Sequence, residues 1–230
     1  MSGSENQTGD DQVPAWARRT AGESRWWATA AMVGLLGLQY FLPDWLTPGP
    51  RWVVPALGVA LLLVLVIASP YRLDREEILF RRLAMCLMGL LGFAMTWAVW
   101  HLVNGLIDGT VSNNAGGLLG SGAGVWMSNF LVFALWYWEF DRGGPAARAH
   151  ARKPYPDFLF VQMQNPDLAA PEWEPQFLDY LYLSFTNATA FSPTDVMPMS
   201  RWAKITMMMQ SGISLITVSL VIARAVNVLK

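Results

Sequence analysis

Residues 52–68 read WVVPALGVALLLVLVIA without a charged side chain, and Arg51 lies just outside the run. A helix of about 20 apolar residues crosses a bilayer core about 30 Å thick. Other apolar segments cover approximately residues 26–42, 83–107, 125–140 and 202–229. The sequence therefore predicts an all-α fold, a polytopic membrane helical bundle.

The composition supports this class. The chain is 53% hydrophobic and 14% charged, whereas soluble domains are about 25% charged. Its net charge is −1 without a dense basic block, so we expect no nucleic-acid partner. Cys86 is the only cysteine, which excludes an intrachain disulfide and a thiolate cluster. The sequence lacks a phosphate-binding glycine loop, a His-x-x-x-His pair and a nucleophile elbow, so we expect no enzyme activity, cofactor or metal.

Four segments of different composition predict the domain organisation. Residues 1–24 are polar and rich in Gly, Ser, Asp and Gln, which is typical of a disordered tail. Residues 25–140 contain the first four spans, and a glycine-rich loop at 108–124 joins the third span to the fourth. Residues 141–174 form a proline-rich insertion with no segment apolar enough to cross a bilayer. Residues 175–230 form a helical hairpin whose second arm is the last span.

Basic residues predict the orientation, because Lys and Arg favour cytoplasmic connections. They precede the first span, lie between the second and third spans, and follow the fourth. None lies between Asp108 and Gly124. We therefore expect a multi-pass protein of the cell's inner (plasma) membrane with a cytoplasmic amino terminus, tail and insertion.

Residues 175–191 allow two topologies. A full crossing gives six transmembrane helices and a cytoplasmic carboxy terminus. A helix that enters and returns gives five crossings plus a re-entrant, pore-like helix. Asp179 lies near the start of the segment, where a charge costs less than the roughly 2.5–3.5 kcal/mol of the bilayer centre. We therefore expect about six crossings, with the re-entrant topology as the variant.

The most specific stretch is residues 180–201, YLYLSFTNATAFSPTDVMPMSR. It resembles the pore module of the potassium-channel superfamily, where a pore helix ends in Thr and a glycine-containing filter precedes Asp, two residues and Pro. Thr189, Asp195 and Pro198 match these positions. Ala190–Thr194 lack both filter glycines, whose backbone freedom lets successive carbonyls point at the ion. The resemblance implies a pore-like hairpin without potassium selectivity, and a tetramer if a pore forms.

The same stretch resembles an uncharacterised family of bacterial inner-membrane proteins of similar length. Their carboxy-terminal pattern is Tyr-x-x-Phe-Thr, then Ser/Thr-Asp-Val and Ser-Arg, then one long apolar helix ending near Ala-Val-Asn. The matching residues are Tyr182, Phe185, Thr186, Thr194, Asp195, Val196, Ser200, Arg201, Ala225, Val226 and Asn227. This resemblance implies that the protein resides in the inner membrane, and it does not imply any particular activity.

The candidate site is the turn at the tip of the hairpin, which would border a polar path. Its residues are Thr186, Thr189, Ala190, Phe191, Ser192, Pro193, Thr194 and Asp195. Two plainer interpretations stay open. Asp195 would cap the last helix or sit in an ordinary turn, and the polar side chains would hydrogen-bond between helices. The same choice applies to Ser211, Ser214 and Thr217 on the last span.

Two functions follow from these patterns. The first is a channel-like or transport-related membrane protein, which would act as a homo-oligomer. The second is a non-conducting structural or partner-binding membrane protein with residues 141–174 as its contact surface. The lipid bilayer is a partner in both.

Overall fold

Four long helices precede the insertion. The computed structural model describes residues 14–68, 78–111, 115–190 and 195–228. The first four helices are α1 (Trp26–Phe41), α2 (Val53–Ala68), α3 (Ile78–Ile107) and α4 (Ala115–Phe140). They contain the four predicted spans of residues 25–140.

The insertion and the hairpin contain the remaining elements. Two short helices, α5 (Pro145–Ala149) and α6 (Val161–Gln164), are followed by α7 (Phe177–Ala190) and α8 (Arg201–Val228). Strand β1 (Phe158–Leu159) pairs antiparallel with β2 (Met197–Pro198), with Phe158 opposite Pro198. Short 3-10 turns cover Ala15–Ala17, Asp44–Leu46, Asp141–Gly143 and Pro166–Leu168.

Three of the described helices are long and apolar enough to cross a membrane. They cover Arg81–Ile107, Gly116–Gly143 and Arg201–Val228, and the apolar part of α2, Val53–Ile67, is shorter. The helical fold is as predicted, and these helices are compatible with a membrane protein. The expected bundle of six crossings is not confirmed.

The glycine-rich loop predicted at 108–124 is wrong from Ala115 onward, where α4 begins. Its glycines allow a close approach of helices instead of an open loop. A Cβ atom at Gly122 would lie 2.7 Å from the Cγ1 atom of Val221 in α8, which is closer than atomic contact allows. Tertiary packing here overrides the low helix propensity of glycine.

The helix termini fall at two ends of the bundle. We call the end that carries the insertion the insertion end. The Arg25 guanidinium, just before α1, donates to the Leu65 carbonyl near the end of α2 at 2.8 Å. The Trp136 indole, near the end of α4, donates to the Met88 carbonyl in the first half of α3. Thus α1 and α3 begin, and α2 and α4 end, at the insertion end.

An apolar cluster closes the opposite end of the bundle. It joins the end of α1, the end of α3, the first half of α4 and the last turns of α8. Its buried members are Leu42, Leu46, Ala98, Leu102, Leu106, Val111, Leu118, Val125, Val221 and Ala225. Since α8 begins near β2 and ends here, it runs the full length of the bundle.

Part of the predicted disordered tail is ordered against the insertion. The Thr20 backbone N–H donates to the Ala149 carbonyl at 2.9 Å, and Glu23 is buried. Residues 14–24 therefore belong to the folded body, while residues 1–13 lie outside the described residues. Composition missed this because the contacts that order residues 14–24 come from more than a hundred positions away.

Candidate functional site

The hairpin begins where α7 meets a group of buried charges. The Phe177 backbone N–H, at the first residue of α7, donates to Glu23 Oε2 at 3.0 Å. One turn later the Tyr180 hydroxyl donates to Asp141 Oδ2 at 2.5 Å. Both acceptors lie at the insertion end, so α7 begins there.

α7 ends beside the middle of the neighbouring helices. The Ser184 hydroxyl donates to the Phe130 carbonyl of α4 at 2.6 Å. The Ser214 hydroxyl, halfway along α8, donates to the Ala188 carbonyl at 2.6 Å. With 14 residues and about 1.5 Å per residue, α7 is about 21 Å long. It therefore stops in the middle of the bundle.

The chain then returns to the end from which it came. β2 pairs with β1 of the insertion, and the Met199 backbone N–H donates to the Asp157 carbonyl at 2.8 Å. The indole of Trp202, in the first turn of α8, donates to Asp157 Oδ1 at 2.7 Å. Thus α7 and α8 both begin at the insertion end.

Gln210 connects α4, α7 and α8 in the interior. Its amide nitrogen donates to the carbonyl and hydroxyl oxygens of Ser184 at 2.9 and 2.7 Å. Its amide oxygen accepts from the Tyr137 hydroxyl and from Asn187 Nδ2, both at 2.7 Å. Gln210 is fully buried, and both ends of its amide are satisfied. Such connected buried polar networks fix one arrangement of the packed elements.

Two small polar side chains of α8, Ser211 and Ser214, also form hydrogen bonds with α7. The Ser211 hydroxyl donates to the carbonyl and side-chain oxygens of Asn187 at 3.2 and 3.1 Å. Ser214 also accepts from the Trp126 indole of α4 at 2.9 Å. Thr217 is buried, and its hydroxyl has no partner among the described residues. At Ser211 and Ser214, the plainer interpretation of inter-helix hydrogen bonding is what the structure has.

The predicted site residues lie on a different face. Thr186 and Thr189 donate their hydroxyl protons to carbonyls of α7 itself, three and four residues earlier. Thr189, Ala190 and Asp195 are exposed. Phe191, Ser192, Pro193 and Thr194 lie outside the described residues. Thr189 therefore lies on the side of α7 away from Gln210, whereas Thr186 is half-buried.

A buried ionic cluster at the insertion end was missed by sequence reasoning. Arg148 donates to Glu23 Oε1 at 3.2 Å and to the carbonyls of Trp138 and Asp141 at 2.6 and 3.0 Å. The Trp138 indole also donates to Glu23. Burial raises the pKa of the Glu23 carboxyl above its usual range, and the charge of Arg148 acts in the opposite direction.

Asp141 and Asp157 extend this cluster to the turn after α4. Asp141 Oδ1 accepts from the Asp157 backbone N–H, and Asp157 Oδ2 accepts from the Arg142 N–H, both at 2.9 Å. Arg142 has φ +53°, which is uncommon for a residue with a side chain. Its guanidinium donates to the Lys153 and Trp16 carbonyls, and these bonds stabilise that backbone. The sequence signal that could have indicated this buried ionic cluster is the presence of charged residues directly after the aromatic end of α4.

The arrangement as a whole is an inserted helix supported from two sides. The ionic cluster fixes the start of α7, and the Gln210 network fixes its end. The inward face of α7 consists of apolar side chains and of polar groups that are hydrogen-bonded to α4 and α8. Comparisons with protein-family models, with curated proteins and with solved structures find no match.

Proposed function

We propose that this chain is a channel-like or transport-related integral membrane protein of the inner membrane, in which α7 enters the bilayer and the turn after it borders a polar path. The observation that carries the proposal is the common origin of α7 and α8 at the insertion end, with α7 ending beside mid-α8. A short helix followed by a return to the same side is the frame of the pore module that residues 180–201 resemble.

In this proposal five helices cross the bilayer and the insertion end is cytoplasmic. Exposed basic residues support that orientation. At the insertion end they are Arg19, Arg81, Arg82, Arg152, Lys153, Arg201 and Lys204. Among the described residues, the opposite end has Arg51 and Arg224. Basic residues favour the cytoplasmic side, so α8 would end outside.

The path would follow the outward face of α7, bordered by Thr189 and Asp195. The inward face offers no room, because its polar groups are bound to α4 and α8. A path on an outward face needs other copies to close it, so we propose a ring, four-fold if it follows the pore module. Ala190–Thr194 lack the filter glycines, so the proposed path does not select potassium.

The first test is ion flux. Liposomes containing the purified protein should pass monovalent cations, and Asp195→Asn should lower the flux because a carboxylate at the path concentrates cations. Asp167→Asn removes the same charge from an exposed position of the insertion and should leave the flux unchanged. Flux no higher than that of empty liposomes would remove the conduction proposal.

A second candidate, a partner-binding membrane protein, is supported by the surface of the insertion. Tyr155 and Leu168 expose 84% and 88% of their surface there and so are available for contact with a partner. If this surface binds a partner protein, Tyr155→Ser with Leu168→Ser removes a co-purifying protein while the thermal unfolding midpoint is unchanged. Retention of the same co-purifying proteins by the variant would count against this candidate.

A further inference from the structure

A cleft at the insertion end lies between residues 14–24, the turn after α4 and the segment before α7. The side chains that decide its chemistry are Trp16, Glu23, Arg142, Arg148 and Glu174. The cleft is partly open, and its interior has room for about one water-sized atom. It can therefore admit a single oxygen atom while the rest of a larger group stays at the mouth.

Glu23 and Arg148 balance each other in the wall of this cleft. The Arg148 guanidinium lies 3.2 Å from Glu23 Oε1. Its Nη1 atom donates to the Trp138 and Asp141 carbonyls. Glu23 Oε2 accepts from the Phe177 N–H at 3.0 Å. Both side chains thus have a counter-charge and hydrogen-bond partners of their own, and neither requires a ligand.

Arg142 is buried in the cleft without a counter-charge. It exposes 1% of its surface, and none of the ion pairs among the described residues includes it. Its Nε and Nη1 atoms donate to the neutral carbonyls of Lys153 and Trp16, whereas Nη2 is buried without a partner in the described part of the chain. A buried charge is costly unless it is both hydrogen-bonded and neutralised. This guanidinium therefore favours a negatively charged acceptor at Nη2.

The Trp16 indole supplies a second donor to the same cleft. Its Nε1 atom is buried and, like Arg142 Nη2, has no acceptor among the described residues. The guanidinium carbon of Arg142 lies 5.5 Å from the centre of the Trp16 ring, so the two side chains are neighbours. Two adjacent N–H donors, one of them charged, are suited to the oxygen atoms of an anion.

We propose that this cleft binds an oxyanion, a phosphate or carboxylate group, which accepts hydrogen bonds from Arg142 Nη2 and Trp16 Nε1. A water molecule could accept the same hydrogen bonds but would leave the charge of Arg142 unbalanced, which is why an anion is favoured. The oxyanion comes either from solution or from the headgroup of an anionic lipid. Binding here is independent of the polar path proposed for the turn after α7, because the cleft lies at the start of that helix.

The first measurement is the thermal unfolding midpoint of the whole chain in a nonionic detergent, with sodium phosphate or acetate replacing chloride at constant ionic strength. An anion that binds only the folded state raises the midpoint as its concentration rises. Trp16→Phe keeps an aromatic ring but removes the indole N–H, and should weaken the apparent affinity about five-fold. The control Arg19→Gln removes an exposed cation from the same segment and should respond like the parent protein.

The second measurement distinguishes the two sources of the oxyanion. It uses nanodiscs of phosphatidylcholine with or without phosphatidylglycerol, because the insertion end lies at the membrane surface in the proposed topology. A rise of the midpoint that depends on Trp16 and occurs with dissolved phosphate or acetate identifies a free ion. Such a rise with phosphatidylglycerol alone identifies a lipid headgroup.

Glu174 is the acidic side chain of the cleft wall that competes with a bound oxyanion. Glu174→Gln removes its repulsion and should strengthen the response, and it decides the question if Trp16→Phe does not fold. If Glu174 is instead the counter-ion of Arg142, Glu174→Gln lowers the midpoint in chloride and phosphate gives no rise in the parent protein, which overturns the inference. Equal rises in the parent protein and Trp16→Phe are a general salt effect and overturn it as well, and so does no rise in either measurement.

Discussion

At the scale of single residues, two buried polar side chains determine where α7 lies. Glu23 holds its first residue and Gln210 holds its last turns, through contacts 154 and 23 residues apart in sequence. Both side chains are hydrogen-bonded to buried partners. Replacing either side chain leaves a buried partner unsatisfied, which lowers the free energy of unfolding.

Glu23→Gln should lower the stability of the folded protein. The substitution keeps the shape of the side chain but removes the carboxylate that lies 3.2 Å from the buried Arg148 guanidinium, which leaves Asp141 as a more distant acidic neighbour. Breaking a buried pair from one side costs about 3 kcal/mol or more. The thermal unfolding midpoint in detergent is the measurement.

Two further variants separate the charge from the shape. The double variant Glu23→Gln with Arg148→Met also leaves the Trp138 and Asp141 carbonyls without their donor and should be more destabilised than Glu23→Gln alone. Arg18→Gln breaks the exposed ion pair with Glu172, which is worth less than about 1 kcal/mol. Equal unfolding midpoints for Glu23→Gln and Arg18→Gln would contradict the prediction that the buried ion pair stabilises the protein more than the exposed one.

Gln210→Leu should destabilise the hairpin. It keeps most of the volume but deprives the Tyr137 hydroxyl and the Asn187 amide of their shared acceptor, and each unsatisfied group costs about 1–3 kcal/mol. Met208→Leu, two positions away and facing outward, should change the unfolding midpoint little. Similar midpoints for the two variants would mean that the network adds nothing to stability.

At the scale of elements, the start and the end of α7 support the re-entrant topology that we propose for the hairpin. The 14 residues of α7 end beside the middle of α8. The segment before β2 brings the chain back to Asp157. The six crossings expected from the position of Asp179 are not confirmed.

Labelling of single cysteines tests the return of the chain. In a Cys86→Ala background, Asp195→Cys and Arg152→Cys should react with a membrane-impermeant maleimide from the same side of the membrane. Gly109→Cys, in the turn after α3, should react from the other side. Were α7 to cross fully, Asp195→Cys would instead react together with Gly109→Cys.

At the scale of the whole molecule, the sequence predicted the long helices well and their arrangement poorly. Apolar runs such as residues 52–68 determine where helices form, because span length and hydropathy are local properties. The direction of α7 depends on hydrogen bonds to Phe130, Gln210 and Ser214, which no local pattern contains. The candidate site was predicted from a motif. Helical periodicity alone did not show which of its polar residues lie on the inward face of α7 and which lie on the outward face.

The same limit explains the missed ionic cluster. Arg148 and Glu23 are 125 residues apart, and each lies in a segment whose composition is typical of solvated chain. Only the fold brings them together at the end of α4. Their charges are therefore part of the folded body and do not belong to a flexible tail or to an independent insertion.

The pairing of β1 with β2 has a mechanical consequence. It turns the chain between residues 158 and 198 into a closed loop with α7 as its inner arm. Closing a loop of this length costs on the order of 3 kcal/mol of chain entropy. The ring of Phe158, packed among Tyr137, Tyr180 and Trp202, helps to stabilise the closed loop. Force applied to the insertion would thus be transmitted through β2 to the start of α8.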